Sequence, residues 1–204
     1  MKILQPATEE EVLQSWAESE FNGSRHRDEI APWILSYNAR TRILETHPSK
    51  WSSIDRKDAI EATRRARSPI LDGILKSNPS WRLVEIGPDE VGSLLHIDHP
   101  PFNALAGDRR IGTFVEALDA GRTTRGDGFS RGYQDLRKKF SPEKTLGLPG
   151  VAAKSERGPF IVFDGLTRLC ILHSRLVAGE PVPAAIQLYL AVSPRLSKGC
   201  WQWL

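Results

Sequence analysis

The chain has 204 residues, 40% of them hydrophobic, with six Trp and a formal net charge of +3. That supplies ample core material for one larger domain, or for one domain with a substantial extension. The weak positive charge does not by itself announce nucleic acid, and no stretch reaches the length of a membrane span.

Two cysteines, Cys170 and Cys200, make no disulfide framework in a chain this long, which favours a reducing cytoplasm. Glu9, Glu10 and Glu11 follow the start too soon for a signal-peptide core. Thr8 and Glu11 have the spacing of a capping box. They open a helix with the apolar stripe Val12, Leu13, Trp16 and Phe21, which Asn22-Gly23 stops. A second helix is expected over 28–45, with Ile30, Trp33, Ile34, Tyr37 and Leu44 inward and Pro32 in its first turn. A third, over 53–67, turns Ile54, Ala59, Ile60 and Ala62 inward and carries Arg64, Arg65 and Arg67 outside. After Ser68-Pro69 a short helix covers 70–75. Asn78-Pro79-Ser80 is the clearest turn, and it divides a helical region, 1–78, from the remainder, 79–204.

Residues 81–86 alternate and predict a strand. Gly87-Pro88-Asp89-Glu90 then opens a helix through residue 95, with Pro early and acids in the first turn. A loop over 96–102 holds two His and one Asp, and a short helix follows over 110–118. Residues 122–132 are basic, Gly-rich and loop-like, a candidate lid. A helix is expected over 133–140, with 141–157 mostly irregular. Gly158-Pro159 punctuates the start of the apolar run 160–163, too short for a helix and suited to a buried strand. Asp164-Gly165 turns the chain, and 166–177 has helical spacing. A turn at 179–183 leads to a final strand over 186–192. The fold class is α+β: a small mixed sheet with helices, preceded by a mainly helical extension.

The strand–glycine–helix unit carries the chemistry. Free amides at a helix start attract anions, and an Arg in the first turn can grip a phosphate bidentately. Gly165, Thr167 and Arg168 fit that role, with Asp164 available to a ribose or a metal ion. The plainer reading makes Asp164 a cap and Arg168 a surface charge. Arg109 and Arg110 add guanidinium groups that could close over phosphates. His96, Asp98 and His99 offer ligand types, but no partner group has metal-site spacing. Glu90 falls in the first turn of its expected helix, where an acid satisfies the helix dipole. His173, on the apolar-patterned helix, reads as a core histidine.

Residues 81–192 resemble the ParB/sulfiredoxin fold. The matching parts are Ile86-Gly87-Pro88-Asp89-Glu90 after the first strand, the helix ending at Gly121, the turn Asp164-Gly165-Leu166-Thr167-Arg168, and the Gly179 to Pro183 turn before the last strand. The resemblance implies a nucleotide site at that Asp-Gly-x-x-Arg turn, a catalytic acid at Glu90, where the family's kinases carry one, and a substrate-facing acid–base pair among His96, Asp98 and His99, whose loop follows the first family helix. It lies closest to the free-serine kinase branch, which has His where this chain has Thr167. Sulfiredoxin chemistry is disfavoured, because Leu166 stands where the reactive Cys would be. A partition-protein role is disfavoured because the chain ends soon after Val192. The expectation is a cytoplasmic phosphotransferase that takes ATP or ADP, with Mg as a candidate ion, and a small hydroxyl-bearing acceptor. The alternative is a nucleic-acid-binding or nuclease-like module of the same fold.

Overall fold

A computed structural model describes residues 1–22, 24–123, 128–141 and 147–204. It contains a six-stranded mixed sheet with helices on both faces, an α+β architecture. The strands are β1 (Lys2–Ala7), β2 (Ser80–Ile86), β3 (Leu95–His96), β4 (Gly150–Ala153), β5 (Ile161–Asp164) and β6 (Ile186–Val192). They lie in the order β1-β2-β6-β4-β5-β3. β1 and β2, β2 and β6, and β4 and β5 pair antiparallel, whereas β4 and β6, and β3 and β5, pair parallel.

The central strands are buried on both faces, with strict alternation between two cores. Val151, Ala153, Val162 and Leu190 face a layer built from Phe114, Leu118, Leu169 and Leu172. Ala152, Ile161, Phe163 and Ala191 face the opposite layer, with Val12, Trp16, Leu71, Ile74 and Trp201. Two-sided burial explains why β5 reads as a continuous apolar run.

The first layer consists of α7 (Ile111–Asp119), α8 (Gly128–Lys139) and α9 (Leu166–Val177); a short α6 (Pro100–Asn103) precedes them. The second holds α1 (Glu9–Asn22) and α5 (Ser68–Lys76). α1 opens with the expected box: the Thr8 amide donates to Glu11 at 2.7 Å, and the Glu11 amide donates to the Thr8 hydroxyl at 3.2 Å. Its stripe serves two clusters. Val12, Leu13 and Trp16 pack on the sheet, while Ala17 and Phe21 pack with α4 (Ser53–Ala66) in a third cluster. The helix stop expected at Gly23 lies outside the described residues.

Several expectations are corrected. The helix over 28–45 is broken into α2 (Ser24–Ile30), a 3-10 turn (Ala31–Trp33) and α3 (Tyr37–Glu45). Pro32 removes a backbone donor, and the Ser36 hydroxyl restarts the helix by accepting from the Ala39 amide at 3.3 Å. The break changes the helical register, so Trp33 and Tyr37 are exposed rather than inward; Ile54, at the start of α4, is exposed as well. The N-terminal region is not wholly helical, because β1 pairs along β2. β4 lies in the stretch expected to be irregular, whose residues 142–146 are outside the described set. The helix expected from Gly87 through residue 95 is a 3-10 turn, Pro88–Ser93, followed by β3. α8 starts at Gly128, inside the expected basic loop, of which 124–127 lie outside the described residues. Among the described residues, no helix is long and apolar enough to cross a membrane.

Phe163 sits in the second core, 5.4 Å from Trp16 and 6.3 Å from Trp81 between ring centroids. Phe163→Ala is expected to lower unfolding free energy by about 3–5 kcal/mol. Phe160→Ala, at a half-exposed ring, should cost under about 2 kcal/mol. Urea denaturation of the two variants checks the order; equal losses would contradict it.

Candidate functional site

Strand pairing brings several segments to one rim of the sheet. β3 and β5 are parallel, so both end there. β4 starts there, with Gly150 opposite Asp164. β6 runs parallel to β4, and β2 ends where β6 begins, with Ile86 opposite Ile186. The rim therefore collects the β5–α9 turn, the residues entering β4 and the segments that follow β2 and β3.

At the centre, β5 enters α9 through Gly165, whose φ is 76°. A Cβ at that position would also lie 2.9 Å from both Arg168 Nη2 and Pro149 Cβ. Glycine thus satisfies a left-handed conformation and a close approach at once. The first helical hydrogen bond runs from the Leu169 amide to the Gly165 carbonyl, 3.1 Å. The amides of Leu166, Thr167 and Arg168 precede it and have no acceptor within the helix. Gly165 offers no side chain to cap them.

Arg168 lies over this turn with its guanidinium directed inward. Nη1 donates to the Gly147 carbonyl at 2.6 Å, and Nη2 donates to Asp164 Oδ2 at 3.2 Å. Both side chains are 13% exposed. Burial pushes the Asp164 carboxyl up to about 6, against the downward pull of Arg168; the negative charge of Glu20 adds to the rise. Thr167 is half-buried in the same turn.

Behind the turn stands a second set of charges that the sequence did not single out. Glu20 of α1 is buried and accepts from Arg67 Nε and Nη2 at 2.8 and 3.0 Å and from Trp16 Nε1 at 2.9 Å. Arg67 also reaches Glu29 at 3.3 Å. Arg67, expected on the surface, is therefore the inner member of an ion triad.

The remaining sequence candidates do not join the turn as an acid–base group. Glu90 accepts from the Gly87 amide at 2.8 Å and pairs with the Met1 amino group; that ammonium, with the Gly87 amide, holds its carboxyl below the usual range. Its role here is that of a cap. His96 is fully buried in β3 between Phe102 and Phe114, with Nδ1 2.8 Å from the Ile97 carbonyl, and burial lowers its pKa. It is a core residue rather than a substrate-facing one. Asp98 accepts from Asn103 Nδ2 at 2.7 Å and Lys198 Nζ at 3.2 Å, which together hold its carboxyl low. His99 packs on Phe102 and Trp203, with ring centroids 5.0 and 5.5 Å away. Three neighbouring side chains are thus claimed by three different environments.

Arg109, at φ 63°, donates through Nε and Nη2 to the His96 carbonyl at 3.1 and 2.9 Å, so it pins the loop after β3. Arg110 is the exposed N-cap of α7. His173 is half-buried, in a slot that Gly92 and Gly112 leave open. Among the described residues, no cluster of three or more His, Cys, Asp or Glu side chains is arranged to hold a metal ion.

No family model, curated protein or solved structure matches the chain.

The Asp164 geometry has a pH consequence. Its folded pKa, about 6, is above the usual aspartate value of 3.8. The folded state therefore binds more protons between about pH 4 and pH 6, and this group makes stability fall as pH rises through that window. Asp164→Asn should remove that fall, a difference from wild type of up to about 3 kcal/mol accumulated by pH 7. Urea denaturation at a series of pH values measures it; parallel curves for the two proteins would refute the assignment.

Proposed function

We propose that the protein binds a nucleoside phosphate, ATP or ADP, at the β5–α9 turn and acts as a cytoplasmic phosphotransferase toward a small hydroxyl-bearing acceptor. One observation carries the reading: β5 passes through left-handed Gly165 directly into α9, with Arg168 in the first helical turn. A helix start with unsatisfied amides favours an anion, and a guanidinium beside it adds charge and a bidentate fork. The order of motifs that resembles the ParB/sulfiredoxin fold, nearest its free-serine kinase branch, supports the same choice.

The residues present fit a phosphate group. The amides of Leu166, Thr167 and Arg168, the Thr167 hydroxyl and the Arg168 guanidinium would hold it. Arg168 would exchange its Asp164 contact for phosphate oxygens while keeping the Gly147 carbonyl. Asp164 is then the titratable group nearest the ligand, suited to a ribose hydroxyl, to Mg, or to accepting a proton from the acceptor. Glu90, His96, Asp98 and His99 are left out of the chemistry, because their present contacts are structural.

The second reading, a nucleic-acid module, draws on the basic last turn of α8, where Lys138 and Lys139 are exposed, and on exposed Arg64 and Arg65 of α4. Salt separates the two, since backbone binding falls steeply with ionic strength.

Thermal unfolding with ATP, ADP or a short DNA duplex, with and without magnesium, tests both. ATP at one hundred times its dissociation constant should add about 2.7 kcal/mol of stability, and Arg168→Ala should abolish the gain. A wild type that no nucleotide stabilises, or an Arg168→Ala variant stabilised as well as wild type, refutes the nucleotide reading. Stabilisation by DNA alone, lost on raising salt, would favour the second.

A further inference from the structure

The Arg168 guanidinium does not choose its orientation alone. One of its acceptors is the Gly147 carbonyl, at 2.6 Å, and that carbonyl shares a peptide plane with the Leu148 amide. The Leu148 amide donates to Ser15 Oγ at 2.7 Å, across 133 positions of sequence. A single peptide unit is thus gripped at both ends, by Ser15 on one side and by Arg168 on the other. Donation to Ser15 polarises the peptide and strengthens its carbonyl as an acceptor, so the two bonds reinforce each other.

Packing leaves no room for a side chain at position 147. Gly147 has φ +72°, and a Cβ there would lie 2.2 Å from the Ser15 carbonyl oxygen and 2.9 Å from Ser19 Cβ. Two residues on, Pro149 touches the position where Gly165 would carry a Cβ, at 2.9 Å. Ser15 itself is 8% exposed. The chain entering β4 is therefore close to α1 at Gly147 and to the β5–α9 turn at Pro149.

We infer that Ser15 of α1 is a positioning residue for Arg168, acting through the Gly147–Leu148 peptide, so that the N-terminal helix forms the back wall of the anion site. The functional half of this inference rests on the phosphate-binding reading of Arg168. The geometric half does not. Without the Ser15 hydroxyl, the Leu148 amide loses its acceptor, the peptide can rotate, and the guanidinium loses one of the contacts that hold it over the turn.

A double-mutant cycle on the full chain tests the geometric half without any ligand. Ser15→Ala, Arg168→Lys and the pair are unfolded in urea, with Arg168→Ala as a second arm in case either Arg variant fails to fold. Lys keeps the charge but cannot span the Gly147 carbonyl and Asp164 together. Residues that do not touch but share this peptide should couple by about tenfold in the unfolding constant. Ser15→Thr, which keeps the hydroxyl, should restore that coupling. Additivity within about twofold, or a Thr variant that behaves like Ala, overturns the inference. ATP titrations of the same proteins test the functional half: Ser15→Ala should raise the dissociation constant about tenfold and Ser15→Thr should not. Unchanged ATP affinity in Ser15→Ala overturns it. A wild type that binds no ATP removes the nucleotide reading and with it the functional half, while the cycle still decides whether Ser15 positions Arg168.

Discussion

Everything in this molecule follows from a sheet whose middle strands bury side chains on both faces. β4, β5 and β6 alternate between two apolar cores, so helices must cover both sides. α7 and α9 follow from the chain that builds the sheet and cover one side. The other side needs α1 and α5, which come from before β2. α1 cannot lie on the sheet without also touching the helices around it, and its stripe is divided accordingly: Trp16 against Phe163, Phe21 against Trp51. That placement also brings the polar edge of α1, with Ser15 and Glu20, to the rim where β5 ends. A requirement for burial has delivered polar groups to the β5–α9 turn.

The charges at that rim carry a cost that packing alone would not impose. Glu20 and Arg67 form a bidentate pair largely out of solvent, flanked by Glu29 on one side, and Asp164 and Arg168 form a second pair through one hydrogen bond, whose carboxyl feels the charge of Glu20. A buried ion pair is weak support for stability, because desolvation offsets most of the attraction. Apolar residues of similar volume would hold α1, α5 and α9 together at least as well. Buried charge beside an uncapped helix start is easier to understand as a device that keeps a cation oriented in a dry place.

Sequence patterning made the chain's central unit legible because three signals agree there. The apolar run of β5, the Asp-Gly turn and the helical spacing of α9 are each local and each unambiguous. The capping box of α1 was legible for the same reason, whereas the Ser52–Asp55 box that opens α4 shows itself only in its hydrogen bonds. The failures have physical causes. β1 is exposed on almost its whole length and contains Pro6, which only an edge strand accepts, so it shows no alternation. β4 is four residues, Gly150 to Ala153, with one β-branched side chain among them; its strand character comes from its two neighbours. Pro88 and Gly92 within six residues leave room for a 3-10 turn and no longer helix. In the site, the Asp164–Arg168 pair is visible as an i,i+4 spacing. Ser15 and Gly147 carry no such mark, because their relation exists only after α1 has docked.

The engaged state of Arg168 bears on how an anion could be taken up on the proposed reading. A guanidinium free in solvent would have to lose rotamer entropy when a ligand arrives. Here the Gly147 carbonyl already fixes its plane, and that neutral contact can persist while the Asp164 contact is exchanged. The exchange replaces one oxyanion with another, so the net change in charge–charge interaction at Arg168 is small, and the gain comes from the amides at the start of α9. Discrimination would then fall to groups that can fill those amides and Arg168 together, which a tetrahedral phosphate does and a planar carboxylate does less well. The left-handed glycine is what allows this, because a side chain at position 165 would intrude between Arg168 and Pro149 where the two functions meet.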